Sequence, residues 1–215
     1  MPPYDYDIKA KQFAGERRVT RREVRAEIDK LLEAVEKRSA SLGKSLSADA
    51  ISLAEFQSEM QDLLRSAHII ASSVGRGGRD LMTLSDWGKV GAKIAWQNRY
   101  LEKFARKIER GTLSEASIAN RAKSYSSAIF VSFSDTYQKA QTEFVEDGKN
   151  PILARLVQNS KEGCEECSAD AAEGWMSVDD MKEIGTRICQ DFCLCDIIFS
   201  DEELPEVNVK VSLGE

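Results

Sequence analysis

Residues Thr83 to Gly111, "TLSDWGKVGAKIAWQNRYLEKFARKIERG", carry the start signal, period and stop signal of one long helix. Thr83 and Asp86 are spaced as a capping box, in which a hydroxyl and a carboxylate satisfy the orphan amides of a first turn. Behind them Trp87, Val90, Ile94, Leu101, Phe104 and Ile108 follow a seven-residue rhythm, so one apolar stripe faces a core or another helix. Gly111 ends it. The same grammar extends in both directions. Upstream, Thr20 and Glu23 open a helix expected to stop at Gly43, and Ser52 and Glu55 open a second, with Leu53, Phe56, Met60, Leu63, Leu64 and Ile70 near helical spacing. The run "SSVGRGGRD" breaks that second helix, since three glycines stand in four residues. Downstream, Ser114 is the expected cap of a fourth helix with Tyr125, Ile129, Phe133, Tyr137, Ala140 and Phe144 on its apolar side, ended by Gly148 and Pro151. The short turn at Gly111 makes the third and fourth helices expected antiparallel neighbours, packed stripe to stripe.

The bulk properties limit what such a chain can do. Its 215 residues, 42% hydrophobic and 31% charged, can bury a real core and are not those of a disordered protein. No apolar run approaches the ~20 residues of a membrane span, and "MPPYDYDIKAKQ" lacks the apolar core of a signal peptide, so folding in cytoplasm is expected. A net charge of −6 argues against general nucleic-acid affinity. Neither internal repeats nor low-complexity segments occur.

Past residue 150 the character changes. "ILARLV" reads as a short strand, "VNVKVSL" alternates like an edge strand in the tail, and between them lie all five cysteines of the chain: Cys164, Cys167, Cys189, Cys193 and Cys195. Cysteines used as small core hydrophobes would be scattered. Clustering points to chemistry or cross-links. Cys164 and Cys167 place two sulfurs on one tight turn, and a second knuckle begins at Cys189 after twenty-one intervening residues. Two such knuckles have the spacing of structural zinc sites, where four ligands close a tetrahedron at about 2.3 Å. Cys164 and Cys167 are the firmer pair, to be completed by two of Cys189, Cys193 and Cys195. Disulfides formed once the protein leaves the reducing cell are the alternative; cytoplasmic chemistry and the odd number disfavour them. Either linkage staples a module with few apolar residues of its own.

These residues resemble the C-terminal module of minor head, or head morphogenesis, proteins of tailed bacteriophages. The order Cys164, Cys167, Ala171, Ala172, Gly174, Trp175, Ile184, Gly185, Thr186, Cys189, Cys193, Cys195 follows that family's pattern. The helical segment "GRGGRDLMTLSDWGKVGAKIAWQNRYLEKFARKIERGTLSEASIANRAKSY" is similar to the one that precedes the module, which extends the resemblance over residues 66 to 199. Gly163 stands where relatives often have histidine, and Leu194 where the last Cys-x-Cys usually holds a basic residue. The first departure removes a possible alternative ligand, and the second a possible docking charge. The resemblance implies a virion component, located at the portal or inner head after assembly in the host cytoplasm, present in several copies, and without enzymatic activity.

The residues themselves assemble no catalytic site. His68 lies among Leu63, Leu64, Ile69 and Ile70, which favours a buried, hydrogen-bonded imidazole over a general base. "GRGG" lacks the lysine and the preceding strand of a phosphate cradle and reads as an elbow between helices. The acid pairs Glu165-Glu166, Asp179-Asp180 and Glu202-Glu203 read as solvated faces. Arg17, Arg18, Arg21, Arg22 and Arg25 cluster at the first helix start, against its dipole; they read as a face paired with Glu16, Glu23 and Glu27, or as a contact for packaged DNA or an acidic protein surface. The expected fold is mainly α: an extended arm over residues 1–16, an antiparallel body of about four helices over 17–150, a cysteine-stapled α+β or zinc-ribbon-like module over 151–199, and a tail over 200–215. The expected partners are portal, capsid or connector proteins. A zinc-stapled nucleic-acid-associated or regulatory module is the second reading and a thiol redox enzyme the third, although no βαβ context surrounds the Cys-x-x-Cys.

Overall fold

The structure, a computed structural model, describes residues 6–7, 12–13, 17–18, 21–142, 153–158, 164–189, 193 and 195–199. Expectations placed on Thr20, Phe144, Gly148, Pro151, Gly163, Leu194 and the tail, Glu202-Glu203 and "VNVKVSL" included, lie outside the described residues. The fold is mainly helical, with a small antiparallel sheet and the cysteine cluster at its C-terminal end. Three two-residue strands come first: β1 (Tyr6–Asp7), β2 (Gln12–Phe13) and β3 (Arg17–Arg18), paired antiparallel in that order. The arm therefore doubles back on itself, and its pairing crosses the expected boundary at residue 16.

Helix α1 (Arg21–Ser47) runs past Gly43, which was expected to stop it. Gly43 serves the packing instead. A Cβ there would stand 2.9 Å from the Cα of Ala119, so the missing side chain lets α1 approach α4 (Glu115–Lys123) closely. Helix α2 (Leu53–Arg76) has the expected capping box, Ser52 and Glu55 bonding each other's backbone at 3.2 and 2.8 Å. It ends in a left-handed Gly77, whose φ of 98° costs a glycine little. Gly75 belongs to the helix, not to an elbow, and touches Thr136 and Phe133 of α5 (Ser127–Thr142), where a side chain would not fit. Helix α3 (Leu84–Glu109) starts from the Thr83–Asp86 capping box as its spacing requires.

Two expectations about the body are corrected. The fourth helix is two helices, α4 and α5, separated by a 3₁₀ turn over Ser124–Ser126. The hydroxyls of Ser124, Ser126 and Ser127 each donate to a carbonyl three residues earlier, which draws the backbone into the tighter turn. In addition, α3 does not lie mainly on α5. Helix α2 is the central element, in close contact with α1, α3 and α5. Phe104 of α3 meets Phe56 of α2 edge-on at 6.1 Å and Tyr125 at 6.2 Å, so the α3 stripe spreads over both neighbours.

The C-terminal part contains β4 (Leu153–Val157), α6 (Glu165–Glu173), β5 (Met176–Ser177) and β6 (Asp196–Phe199), with sheet order β5-β4-β6 and antiparallel pairing throughout. Alternation sends Ala154, Leu156, Ile197 and Phe199 inward. They join the core of the helical body without a break: Phe199 meets Tyr137 of α5 at 6.1 Å between ring centroids.

Candidate metal centre

Cys164 is the N-cap of α6, and its sulfur accepts the amide of Cys167 at 3.4 Å. The first turn of α6 thus carries two sulfurs, one half-buried and one fully buried. The second knuckle brings its sulfurs to the same place. Cys167 Sγ lies 3.6 Å from Cys189 Sγ and 3.9 Å from Cys193 Sγ, and Cys167, Cys193 and Cys195 all lie within 4.8 Å of one another, as do Cys164, Cys167 and Cys189. All five cysteines are free thiols, and neither of those two distances is bonding. Sulfurs that share a tetrahedral ion with bonds of about 2.3 Å stand about 3.8 Å apart. The donor set therefore fits a metal ion.

Buried side chains hold the second knuckle in register. Arg187, 1% exposed, donates from Nε to Asp170 of α6 at 2.7 Å and from a terminal nitrogen to the Glu183 carbonyl at 3.2 Å. Glu166, expected to be solvated, accepts the Ile188 amide at 2.7 Å and so ties the α6 N-terminus to the residue before Cys189. The Ile184-Gly185-Thr186 turn docks the module on the body. Ile184 is buried, Gly185 has a φ of 90°, and a Cβ there would stand 2.6 Å from Val131 of α5. The Gln138 side chain reaches from α5 to the Met181 carbonyl, and Lys89 of α3 pairs with Glu183 at 3.2 Å.

The thiols are poised unequally. Burial pushes the Cys164 thiol up, but hydrogen bonds from Cys167 and Cys189 outweigh it and leave its pKa below the usual value. Burial raises Cys167 and Cys189 well above theirs, and burial together with the neighbouring Cys193 raises Cys195 to about 11. Metal-free, Cys167, Cys189 and Cys195 are therefore protonated at neutral pH. Binding a metal must then release protons, so affinity falls in acid.

His68 is the buried, satisfied imidazole its neighbours implied. Nδ1 accepts from Ser132 Oγ at 2.6 Å when Nε2–H donates to Gln97 Oε1 at 2.8 Å, and Gln97 passes its amide to the Tyr125 carbonyl. Burial drives the His68 pKa down to about 4. Gln97 went unread in the sequence, although the seven-residue step from Val90 to Phe104 passes through it. This network floors a cavity of about 450 Å³ between α3 and the Gly185–Thr186 turn, with Trp96 and Lys93 on its wall. Arg25 is not a free docking charge. It pairs with Asp29 at 3.0 Å and Asp196 of β6 at 3.1 Å, and stacks 4.2 Å over Phe130, joining α1, α5 and the module. Nothing is described of the side chains of Arg17, Arg18, Arg21 and Arg22.

No protein-family model matches this chain, and neither a curated protein nor a solved structure is similar enough to count as a match. Among the described residues no helix is long and apolar enough to cross a membrane. Fold and site define a mainly helical protein with a C-terminal cluster of cysteines compatible with a metal ion.

Proposed function

We propose that this chain is a non-enzymatic structural protein of a tailed-phage head, a minor head or portal-associated docking component whose C-terminal module is stapled by zinc. The observation that carries the reading is the convergence of all five thiols on Cys167, inside a module seated on the helical body through the Ile184-Gly185-Thr186 turn. Those residues also carry the resemblance to head morphogenesis proteins, and the contact with Val131 gives that turn a physical reason. Sulfur separations of 3.6 and 3.9 Å favour a shared ion over cross-links. Among the described residues the cluster offers cysteine sulfurs alone, which suits a closed structural site; a catalytic zinc keeps an open position and commonly uses histidine or carboxylate, and the only histidine is committed elsewhere. Two measurements test the proposal. Protein purified under reducing conditions is expected to carry about one zinc per chain, and the gene is expected to lie beside portal and capsid genes with its product present in purified particles. Metal-free protein with two protected cysteine pairs overturns the zinc assignment. A product absent from particles overturns the virion assignment.

A further inference from the structure

A single four-sulfur site leaves one of the five thiols without a role. The geometry divides them differently. Among the described residues the sulfurs form two sets of three, Cys164–Cys167–Cys189 and Cys167–Cys193–Cys195, each with all its members within 4.8 Å, and the sets share Cys167 alone. Two triangles joined at one vertex use five sulfurs with none left over. A tetrahedral ion would need four sulfurs with all six separations of about 3.8 Å, whereas a three-coordinate ion with the same bond length needs three separations of about 4.0 Å. Thiolate softness selects zinc or copper(I) among the available ions, and copper(I) accepts three sulfurs readily.

From this we propose that Cys167 is a bridging thiolate and that the module can hold two copper(I) ions, one in each three-sulfur set. The proposal rests on the metal-binding reading above and adds a second mode to it: one zinc closed by four thiolates, or two soft monovalent ions shared among five. Position supports Cys167 as the bridge. Its sulfur is fully buried, it lies between Cys189 at 3.6 Å and Cys193 at 3.9 Å, and it belongs to the first turn of α6, which holds it rigidly between the two sets. The two sites differ in access. Cys193 and Cys195 are buried and define an inner site, while Cys164 and Cys189 are half-buried and define an outer one that exchanges with solvent first.

The test uses the full chain, reduced, metal-free and kept under nitrogen, titrated separately with zinc(II) and with copper(I) supplied as its acetonitrile complex. Bound metal is measured after gel filtration. The expected result is one zinc but two copper ions per chain, with X-ray absorption of the copper form showing three sulfur neighbours and a copper–copper vector. Cys164→Ser and Cys189→Ser, at half-buried positions, each lower copper uptake from two ions to one. Uptake of one copper by the unaltered chain, or of two by both variants, overturns the bridge. If one zinc binds but only one copper does, the bridging proposal alone fails. If neither ion binds, the metal reading fails with it. Stoichiometry and absorption of the unaltered chain decide the matter even if a variant misfolds.

Discussion

At the scale of single residues, the groups that do most work are buried polar ones. His68 makes a pH prediction with a definite sign. Its folded pKa of about 4 lies below the usual 6.5, so its neutral form stabilises the fold at pH 7 and that contribution is lost as pH falls from about 6.5 toward 4. The full loss amounts to about 3 kcal/mol at 1.36 kcal/mol per tenfold change, of which about 2 kcal/mol falls between pH 7 and pH 4.5. Urea unfolding at pH 7 and pH 4.5 measures it, and His68→Gln is expected to remove most of the decline over that interval; an unchanged pH profile in the variant would show that other groups cause it. Asp86 acts at lower pH. Burial disfavours its charge, but bonds from Thr83, Lys139 and Arg76 prevail and hold its pKa below the usual value, so its contribution disappears only below the His68 window. Asp86→Ala removes the acid shared by Arg76 at 3.4 Å and Lys139 at 3.0 Å, and is expected to cost about 3–5 kcal/mol by thermal or urea unfolding. Such residues were only half legible. Asp86 was visible as a cap, but its second role depends on α2 and α5 meeting at the start of α3. Arg187 carried no local signal and Gln97 only its place in the seven-residue rhythm, because what makes them buried is distant in sequence.

Among the helices and strands, what was legible follows local chemistry. The boxes at Ser52 and Thr83 stand where their spacing placed them, and β4 falls within "ILARLV", since each depends on residues within one turn or one strand. The failures are positions where tertiary contact reassigns a residue. Gly43 read as a stop because glycine disfavours helix, yet it is retained inside α1 for its small size. Four helical glycines separate the two effects. Gly88 and Gly91 of α3 meet nothing within 4 Å of an added Cβ, whereas Gly43 and Gly75 face backbone of α4 and α5. Gly88→Ala is therefore expected to stabilise the protein by about 0.5–1 kcal/mol through helix propensity and reduced unfolded-state entropy. Gly43→Ala should do the opposite by about 1–3 kcal/mol, because overpacking against the Ala119 backbone exceeds the propensity gain. Melting curves of the two single variants check the pair. Equal stabilisation by both would mean that α1 and α4 are not held at the close approach described.

Taken as a whole, the molecule joins its cysteine module to its helical body, where the sequence pointed to two parts side by side. A change in composition near residue 150 was visible in the sequence. The continuity across it was not, because it is made by Gly185 on Val131, Phe199 on Tyr137, Gln138 on the Met181 carbonyl and Arg25 on Asp196, each pair far apart in the chain. Core residues of β4, β6 and α6 belong to the same cluster as those of α2 and α5. A staple that acted on the module alone would leave the body untouched when removed. A shared core predicts coupling instead. Stripping metal from the loaded protein with a strong chelator is expected to increase amide exchange in β4, β6 and α6 and, at the same chelator concentration, along the α5 face from Val131 to Gln138, while α1 and α4 are affected less. Gly185→Val, which drives a branched side chain into Val131 from a backbone with positive φ, should weaken the same α5 face without touching a sulfur. Exchange measured by mass spectrometry on the native chain, the chelated chain and the variant separates the possibilities. If chelation loosens only residues 153–199 and α5 keeps its protection, the module is an appended domain and the Gly185 contact is incidental. If α5 loosens in both, the contacts that seat the cysteine cluster also help to set the surface of the helical body.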